Sequence, residues 1–140
     1  AIAFDLQAVE LHLVAGTEEP ASDKVPAERR AALVPQGAYD RLLAVFNGGF
    51  KARHGNYGMM LDGDEYVPPI EDACGLALFK DGSIRIASWP ELAPDVDKMK
   101  AWRQTPPCLI EDGVVNARLP SEFRSRKWGA ARPLRQHRFV

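Results

Sequence analysis

The stretch ALFKDGSIRIAS, residues 77–88, decides the fold class of this chain. Two short runs of strand-forming residues, 78–80 and 83–87, flank the pair Asp81-Gly82. An Asp-Gly pair between such runs is a strong signal for a β-hairpin, because it supplies the positive φ angles of a type I′ turn. The sequence therefore predicts two antiparallel strands here.

Two further Asp-Gly pairs repeat this pattern. In CLIEDGVVNARL, residues 108–111 and 114–117 flank Asp112-Gly113, which predicts a second hairpin. In YGMMLDGDEYV, Asp62-Gly63 predicts a third, although its acids, at 62, 64 and 65, are also typical of a solvated loop.

Helical signals are fewer. Residues 26–31 predict a short helix that Pro35 and Gly37 prevent from extending. Residues 39–45 predict a short turn that leads into an apolar segment, expected to be buried, before Asn47.

The segment PDVDKMKAWRQ, residues 94–104, carries the strongest helical pattern. It begins with proline, has two aspartates in its first turn, and spaces Val96, Met99 and Trp102 like one helix face. The following Thr105-Pro106 would end the helix, because a residue that precedes proline is displaced from helical geometry. On this interpretation Trp102 packs in the core.

Hairpins that alternate with short helices predict an α+β fold that is β-rich, with mainly antiparallel hairpins in a twisted sheet and a few short helices. The length of 140 residues fits a single domain, 1–140.

Residues 1–16 alternate like a strand, and residues 16–26 are typical of an exposed loop. No apolar run approaches the roughly 18 residues of a membrane span, and the acidic N-terminal stretch does not resemble a signal peptide.

Charge is unevenly distributed along the chain. From Arg118 onward, seven Lys or Arg residues face one acid, Glu122, whereas the preceding residues carry 11 basic and 18 acidic side chains. A basic tail can bind nucleic acid. However, this tail lacks regularly interleaved aromatic residues and any nucleic-acid-binding motif. We therefore expect no nucleic-acid partner, and we expect the tail to lie as a solvated face against acidic surface elsewhere.

Cys74 and Cys108 are the two cysteines, and both begin apolar stretches. The sequence contains no CxxC motif, and its three histidines are too dispersed to predict a zinc site. Two buried free thiols are the favoured interpretation. The alternative is a disulfide between neighbouring strands, which would require an oxidising compartment.

The segment VFNGGFKARHG, residues 45–55, has two interpretations. Asn-Gly-Gly after an apolar run is typical of a tight turn. The same residues also suit an anion site, with the amides of Gly48 and Gly49 forming a concavity and the Asn47 carboxamide projecting into it. The adjacent basic side chains would then bind a phosphate or carboxylate: Lys51, Arg53 and His54.

An ordered set of motifs resembles the phosphodiester glycosidase family. The string VFNGGF is followed by GNYGMMLDG, by the hairpin ALFKDGSIRI, by RQTPPCLIEDG and by Trp128-Gly129, which together span about residues 42–129. The resemblance implies hydrolysis of a sugar-1-phosphodiester or a related bond in an acidic glycan, and a secreted or extracytoplasmic location. Many bacterial members of that family are linked to exopolysaccharide, and the alternative function is non-catalytic binding of glycan or protein on the same fold.

The chain departs from the family pattern at several points. Lys51 replaces the second Phe of the turn, Thr105 replaces the usual Asn, and the arginine-bearing "RTAIG"-like strand and "DGGGS"-like turn are missing. The resemblance therefore implies the N-terminal and central part of a longer domain. The missing arginine would be the residue best suited to bind a phosphodiester.

Candidate site residues follow from this resemblance and from chemistry. Glycoside hydrolysis commonly uses two carboxylates, so Glu111 and Asp112 are candidate catalytic groups together with Asn47, although Asp112 is also a turn residue. The expected substrate-binding residues are Gly48, Gly49, Lys51, Arg53, His54, Gln104 and Trp128. Neutral amides such as those of Asn47 and Gln104 can hydrogen-bond sugar oxygens. His54 could act as an acid or base near neutral pH, with simple solvation as the alternative.

No cofactor motif is present. The acids Asp62, Asp64 and Glu65 could coordinate calcium, but their spacing lacks the extended loop of a known calcium site, so a solvated charge run is favoured. The expected partner is a carbohydrate or sugar-phosphate ligand.

Overall fold

A five-stranded antiparallel sheet lies at the centre of residues 3–117, the part of the chain described by this computed structural model. Its spatial order is β2-β1-β5-β3-β4, and a separate hairpin, β6-β7, follows it in the chain. The strands are β1 (Met59–Leu61), β2 (Asp64–Val67), β3 (Cys74–Phe79), β4 (Ile84–Ser88), β5 (Met99–Thr105), β6 (Ile110–Glu111) and β7 (Val114–Val115). The predicted α+β, β-rich class with mainly antiparallel hairpins is confirmed.

All three predicted Asp-Gly hairpins are present. They join β1 to β2, β3 to β4 and β6 to β7. At Asp112-Gly113 both residues have positive φ, 51° and 76°, as a type I′ turn requires. The acids near Asp62 thus belong to a hairpin, so the solvated-loop alternative for that segment is wrong.

The helices are short. The α-helix α1 (Trp89–Leu92) is a single turn, and Pro90 lies near its N-terminus. The remaining helical segments in residues 3–117 are 3-10 helices: Ala27–Arg29, Gln36–Arg41, Ala52–His54 and Ala93–Lys98. The first lies within the short helix predicted at 26–31, whereas the second overlaps the turn predicted at 39–45 only over residues 39–41.

The helix predicted over 94–104 is wrong in its second half. The 3-10 helix Ala93–Lys98 ends where β5 begins, and β5 lies between β1 and β3. Trp102 pairs with Met60 on one side and Ala77 on the other, and it is 2% exposed. Its core position was predicted correctly, but cross-strand pairing overrides the helical spacing, because a central strand gains partners on both edges.

The two faces of the sheet pack against different parts of the chain. One face buries Trp102 and Met60 against α1. There the ring centroids of Trp89 and Trp102 lie 4.6 Å apart. The other face buries Met59 against Ala15 and Val25 from the N-terminal segment. Burial on both faces fixes the register, since a shift by one residue would exchange the two faces.

The N-terminal expectations need correction. Residues 3–16 contain no strand, although the side chains at 11–15 alternate between more and less exposed positions. Residues 16–26 are not simply an exposed loop. Pro20 and Val25 are buried, and the Arg30 guanidinium donates hydrogen bonds to the carbonyls of Gly16, Thr17, Pro20 and Val25.

The apolar segment at residues 42–46, expected to be buried, is exposed. Leu43 and Val45 are 75% and 67% exposed, and Phe46 stacks on Phe4. Other residues of the chain cover both faces of the sheet, so this segment is not needed to complete the core described above.

Cys74 and Cys108 form a disulfide, so the prediction of two free thiols is wrong. Cys74 begins β3 opposite Thr105 of β5, and the chain after β5 brings Cys108 back to a Cα–Cα distance of 4.7 Å. Both residues are buried, as expected.

In residues 3–117 no helix is long and apolar enough to cross a membrane.

Candidate functional site

The segments that carry the described candidate site residues leave from one end of the five-stranded sheet. There β5 ends while β1 and β3 begin, so the loop before β1, the segment 70–73 before β3 and the hairpin β6-β7 all leave from this end. We call it the loop end. The opposite end, with the turns Asp62-Gly63 and Asp81-Gly82, is the turn end.

Asn47 and its glycines begin the loop that leads to β1. The Asn47 side chain is exposed, but its Oδ1 accepts a hydrogen bond of 3.3 Å from the backbone N–H of Gly49. This side-chain turn is the local structure that asparagine favours. One amide of the predicted concavity is therefore occupied by Asn47 itself, which leaves the NH2 of the carboxamide as its donor group.

The basic residues follow in a 3-10 helix, Ala52–His54. Lys51 and Arg53 are exposed, and the Arg53 Nε–H donates to His54 Nε2 at 3.2 Å, so that nitrogen acts as an acceptor. The His54 ring meets Phe50 edge-on at 6.4 Å. Each of the ion pairs found within residues 3–117 uses side chains other than Lys51 and Arg53.

Arg103 lies beneath this loop and is only 6% exposed. Its guanidinium donates to the carbonyls of Tyr57 and Gly58, the latter at 3.1 Å, and to that of Phe50 at 2.6 Å. Burial lowers its pKa to about 10, an effect that the charge of Glu19 partly opposes. The Glu19 carboxylate itself accepts a hydrogen bond from the Ala52 N–H at 2.9 Å.

Gln104 is fully buried next to Arg103. Its Oε1 accepts from the N–H groups of Gly58 and Ile70, at 3.1 and 2.8 Å, and its Nε2 donates to the Ile70 carbonyl at 3.0 Å. The amide is thus engaged with main chain that enters β1 and β3. Gln104 connects two strands of the loop end, and in this geometry no sugar could reach it, contrary to the role expected from the sequence.

Glu111 and Asp112 lie in the hairpin β6-β7, which the disulfide attaches to the start of β3. Asp112 is exposed and its positive φ is that of the turn. Glu111 is half-buried. Trp128 lies outside the described residues, so its expected role stays a prediction.

Two of the three acids considered for calcium form ion pairs. Asp64 pairs with Arg29 and Glu65 with Lys24, at 2.9 and 2.5 Å. Across residues 3–117 no group of three or more His, Cys, Asp or Glu side chains is placed to hold a metal ion.

The sequence reasoning missed Arg103 and Glu19. In the sequence, Arg103 belongs to the RQTPPCLIEDG motif and to the helix predicted over 94–104, and neither pattern indicates a separate role for it. The available signal was an arginine directly after Trp102 in MKAWRQT, which becomes informative only once that segment is known to be a central strand. Glu19 gives no comparable signal, because its contact with Ala52 joins residues 33 positions apart.

Comparisons with protein-family models, with curated proteins and with solved structures gave no match. The resemblance to phosphodiester glycosidases therefore stays a prediction that rests on the motifs quoted above.

Proposed function

We propose that the loop end binds an anionic glycan and serves hydrolysis of a sugar-1-phosphodiester or a related glycosidic bond. The observation that carries the proposal is the Arg103 guanidinium, which is buried under the loop with neutral carbonyls as its hydrogen-bond partners. Two exposed cations, Lys51 and Arg53, lie on the same loop.

The side chains around the loop determine the sign of the local electrostatic field. Arg103, Lys51 and Arg53 are cationic, and the Glu19 carboxylate lies beside them. A charge in a poorly solvated position acts more strongly on its neighbours than one in water, because the surrounding medium screens it less. A phosphate or carboxylate group at the loop is therefore favoured over a neutral sugar.

The proposed chemistry assigns each group a role. The anomeric carbon–oxygen bond to the phosphate breaks, water supplies the hydroxyl to that carbon, and the remaining proton goes to the departing phosphate. Lys51 and Arg53 would neutralise the phosphate, the Asn47 NH2 would donate to a sugar or phosphate oxygen, and His54 would carry the proton to the departing phosphate. Glu111 is the better candidate for activating water, since Asp112 is explained by its turn.

Non-catalytic binding of a glycan or protein on the same surface is the second candidate. The observation in its favour is the backbone at Asp112, whose φ of 51° accounts for that aspartate without any catalytic role. In that case the loop would bind its ligand and release it unchanged.

The disulfide supports an extracytoplasmic or secreted location, as the family resemblance implies. Buried disulfides form and persist mainly in oxidising compartments.

The test uses UDP-N-acetylglucosamine as the probe, a nucleotide sugar with a phosphate at its anomeric carbon. Binding is measured by calorimetry and hydrolysis by the release of free sugar. We expect Asn47→Ala to weaken binding about tenfold, as loss of one hydrogen bond to a charged group does. We expect Lys51→Gln with Arg53→Gln to weaken it further. Lys80→Gln, an exposed cation at the turn end, is the control and should change neither quantity.

The outcomes separate the candidates. Binding with sugar release, both reduced by the loop variants, supports the glycosidase. Binding without release supports the non-catalytic alternative. Absence of binding, or full activity in Asn47→Ala, contradicts the proposed role of this loop.

A further inference from the structure

A buried arginine whose guanidinium hydrogen-bonds to neutral main-chain carbonyls needs an explanation. Arg103 belongs to the central strand β5, and burial of its charge is unfavourable unless hydrogen bonds compensate. A neutral apolar residue would fill this position of a strand at lower cost. The guanidinium therefore does something that an apolar side chain could not do.

Its hydrogen bonds connect the two ends of one loop. The carbonyl of Phe50 lies at the start of the segment 50–57, and the carbonyls of Tyr57 and Gly58 lie at its end. A guanidinium is planar and carries five N–H donors, so one side chain can hold several carbonyls in a fixed relative position. Between these ends stand the basic side chains of the loop, Lys51, Arg53 and His54.

Gly49 shows how closely the loop approaches Arg103. A Cβ atom at Gly49 would collide with Nε and lie 2.9 Å from Nη2 and 3.0 Å from Cζ. A Cβ at Gly48 would meet its nearest neighbour, Leu13 Cδ1, at an ordinary 3.7 Å. Neither glycine has a positive φ, so the absence of a side chain at Gly49 is explained by the guanidinium and not by backbone geometry.

We infer that Arg103 is a positioning residue: it closes the loop 50–57 against β5 and so determines where Lys51, Arg53 and His54 stand relative to a ligand. Because Gly49 has no side chain, the guanidinium can lie directly against the loop at this position. The part of this inference that concerns ligand binding rests on the function proposed above, whereas the part that concerns loop closure does not.

Hydrogen exchange of the intact chain without ligand tests loop closure. The amides of His54, Gly55 and Asn56 donate hydrogen bonds within the loop, and that of Ala52 donates to Glu19, so all four report on its order. We expect Gly49→Ala to accelerate their exchange on the order of ten- to a hundredfold, as forced displacement of a packed side chain does. Gly48→Ala is the matched control and should leave them unchanged. Amides of β3 and β4 should retain their protection in both variants.

A second pair of variants separates charge from geometry. Arg103→Lys keeps a positive charge but cannot bring a rigid fork to three carbonyls, so it should loosen the loop as Arg103→Gln does. In the Arg103→Gln background, Gly49→Ala should add little, because the atoms that it would meet are gone. Arg85→Gln, an exposed arginine of β4, controls for loss of one cation.

Each result decides something. Loop closure is wrong if Gly49→Ala matches Gly48→Ala, if its effect persists undiminished with Arg103→Gln, or if Arg103→Lys leaves the loop amides protected. If the wild-type chain binds UDP-N-acetylglucosamine, Gly49→Ala should weaken that binding, and unchanged affinity would overturn the positioning role in binding. If the wild-type chain fails to bind while the loop amides respond as expected, the proposed function fails and loop closure stands. Should Arg103→Gln fail to fold, the two glycine variants still decide the matter.

Discussion

The two ends of the five-stranded sheet are built by different means. At the turn end, each hairpin reverses through an Asp-Gly pair whose glycine has positive φ and open space around it. At the loop end, the chain is held by the buried side chains of Arg103 and Gln104, by a disulfide and by glycines that other atoms approach closely. Local chemistry determines the first end, and contacts between distant residues determine the second.

The glycines make this difference concrete. At Gly82 a side chain would meet no atom within 4 Å, and the residue is needed for its φ of 86°. At Gly58 the backbone φ is ordinary, but a Cβ would lie 2.6 Å from Gln104 Oε1 and 2.8 Å from the Cα of Pro69. Glycine thus permits a turn at one end of the sheet and close packing at the other. The candidate binding site lies at the loop end, where glycines permit close packing.

Among the variants that compare the two ends, removal of the disulfide is expected to change the free energy of unfolding most. Cys74 and Cys108 are 34 positions apart. Closing a loop of that length should lower the entropy of the unfolded chain enough to stabilise the fold by about 4 kcal/mol. We expect the double variant Cys74→Ala with Cys108→Ala to lose about that much free energy of unfolding, measured with urea.

Hydrogen exchange should show where the disulfide acts. Amides of the hairpin β6-β7 and of residues 70–74 should lose protection before those at the turn end. The wild-type chain under reducing conditions is the control and should behave like the double variant. A loss below about 1 kcal/mol, or equal loosening at both ends, would contradict the view that distant contacts hold the loop end together.

The same division explains how far sequence alone could predict this molecule. The three Asp-Gly hairpins and the α+β class follow from residues that are neighbours in the chain, and the structure confirms them. The segment 94–104 could not be assigned, because Val96, Met99 and Trp102 suit a helix face while residues 99–105 form a central strand only in the presence of β1 and β3. The paired state of the cysteines depends on the same β3-β5 contact.

The candidate site was predictable only as a list of residues. Asn47 to His54 are consecutive, so their proximity needed no structure. What lies beneath them did need one: the approach of Arg103 to Gly49 joins residues 54 positions apart in sequence, and the exposure of the apolar residues 42–46 depends on which other segments cover the sheet. Burial also removed Gln104 from the predicted binding residues, since its amide is engaged by main chain on three hydrogen bonds.

Gln104→Leu is expected to have the next largest effect. Leucine fills a similar volume but leaves the N–H of Gly58 and both main-chain groups of Ile70 without their partner. Buried groups that lose a hydrogen bond cost roughly 1–3 kcal/mol each, and partial access of water should reduce the total to about 3 kcal/mol. Urea unfolding measures the loss.

An exposed glutamine provides the control for that substitution. Gln36→Leu, in the 3-10 helix Gln36–Arg41, should change the free energy of unfolding by no more than about 0.5 kcal/mol. If Gln104→Leu lowered the free energy of unfolding no more than Gln36→Leu does, the hydrogen bonds of the buried amide would not stabilise the loop end. That result would contradict the proposed difference between the two ends of the sheet.

The smallest expected effect lies at the turn end, where charges meet in water. Asp95 pairs with Lys98 at 2.7 Å and with Arg85 at 3.0 Å, and the hydrogen bond from Lys98, followed by its charge, lowers the Asp95 pKa below the ordinary 3.8. A carboxyl group with a lowered pKa in the folded state stabilises the fold above its unfolded pKa, and that contribution is lost as the pH falls through the folded value. Asp95→Asn should therefore lower stability slightly at pH 7 and not at all near pH 2.

Urea unfolding of wild type and Asp95→Asn across that range measures the pH dependence, with Asp97→Asn, its exposed neighbour, as the control for loss of one negative charge. Because Asp95 is well solvated, 1 M NaCl should shrink the difference at pH 7. The buried polar contacts of Gln104 are shielded from ions and should respond far less to the same salt. A pH-independent gap for Asp95→Asn, or equal salt sensitivity of both variants, would show that the two ends do not differ in the kind of interaction that stabilises them.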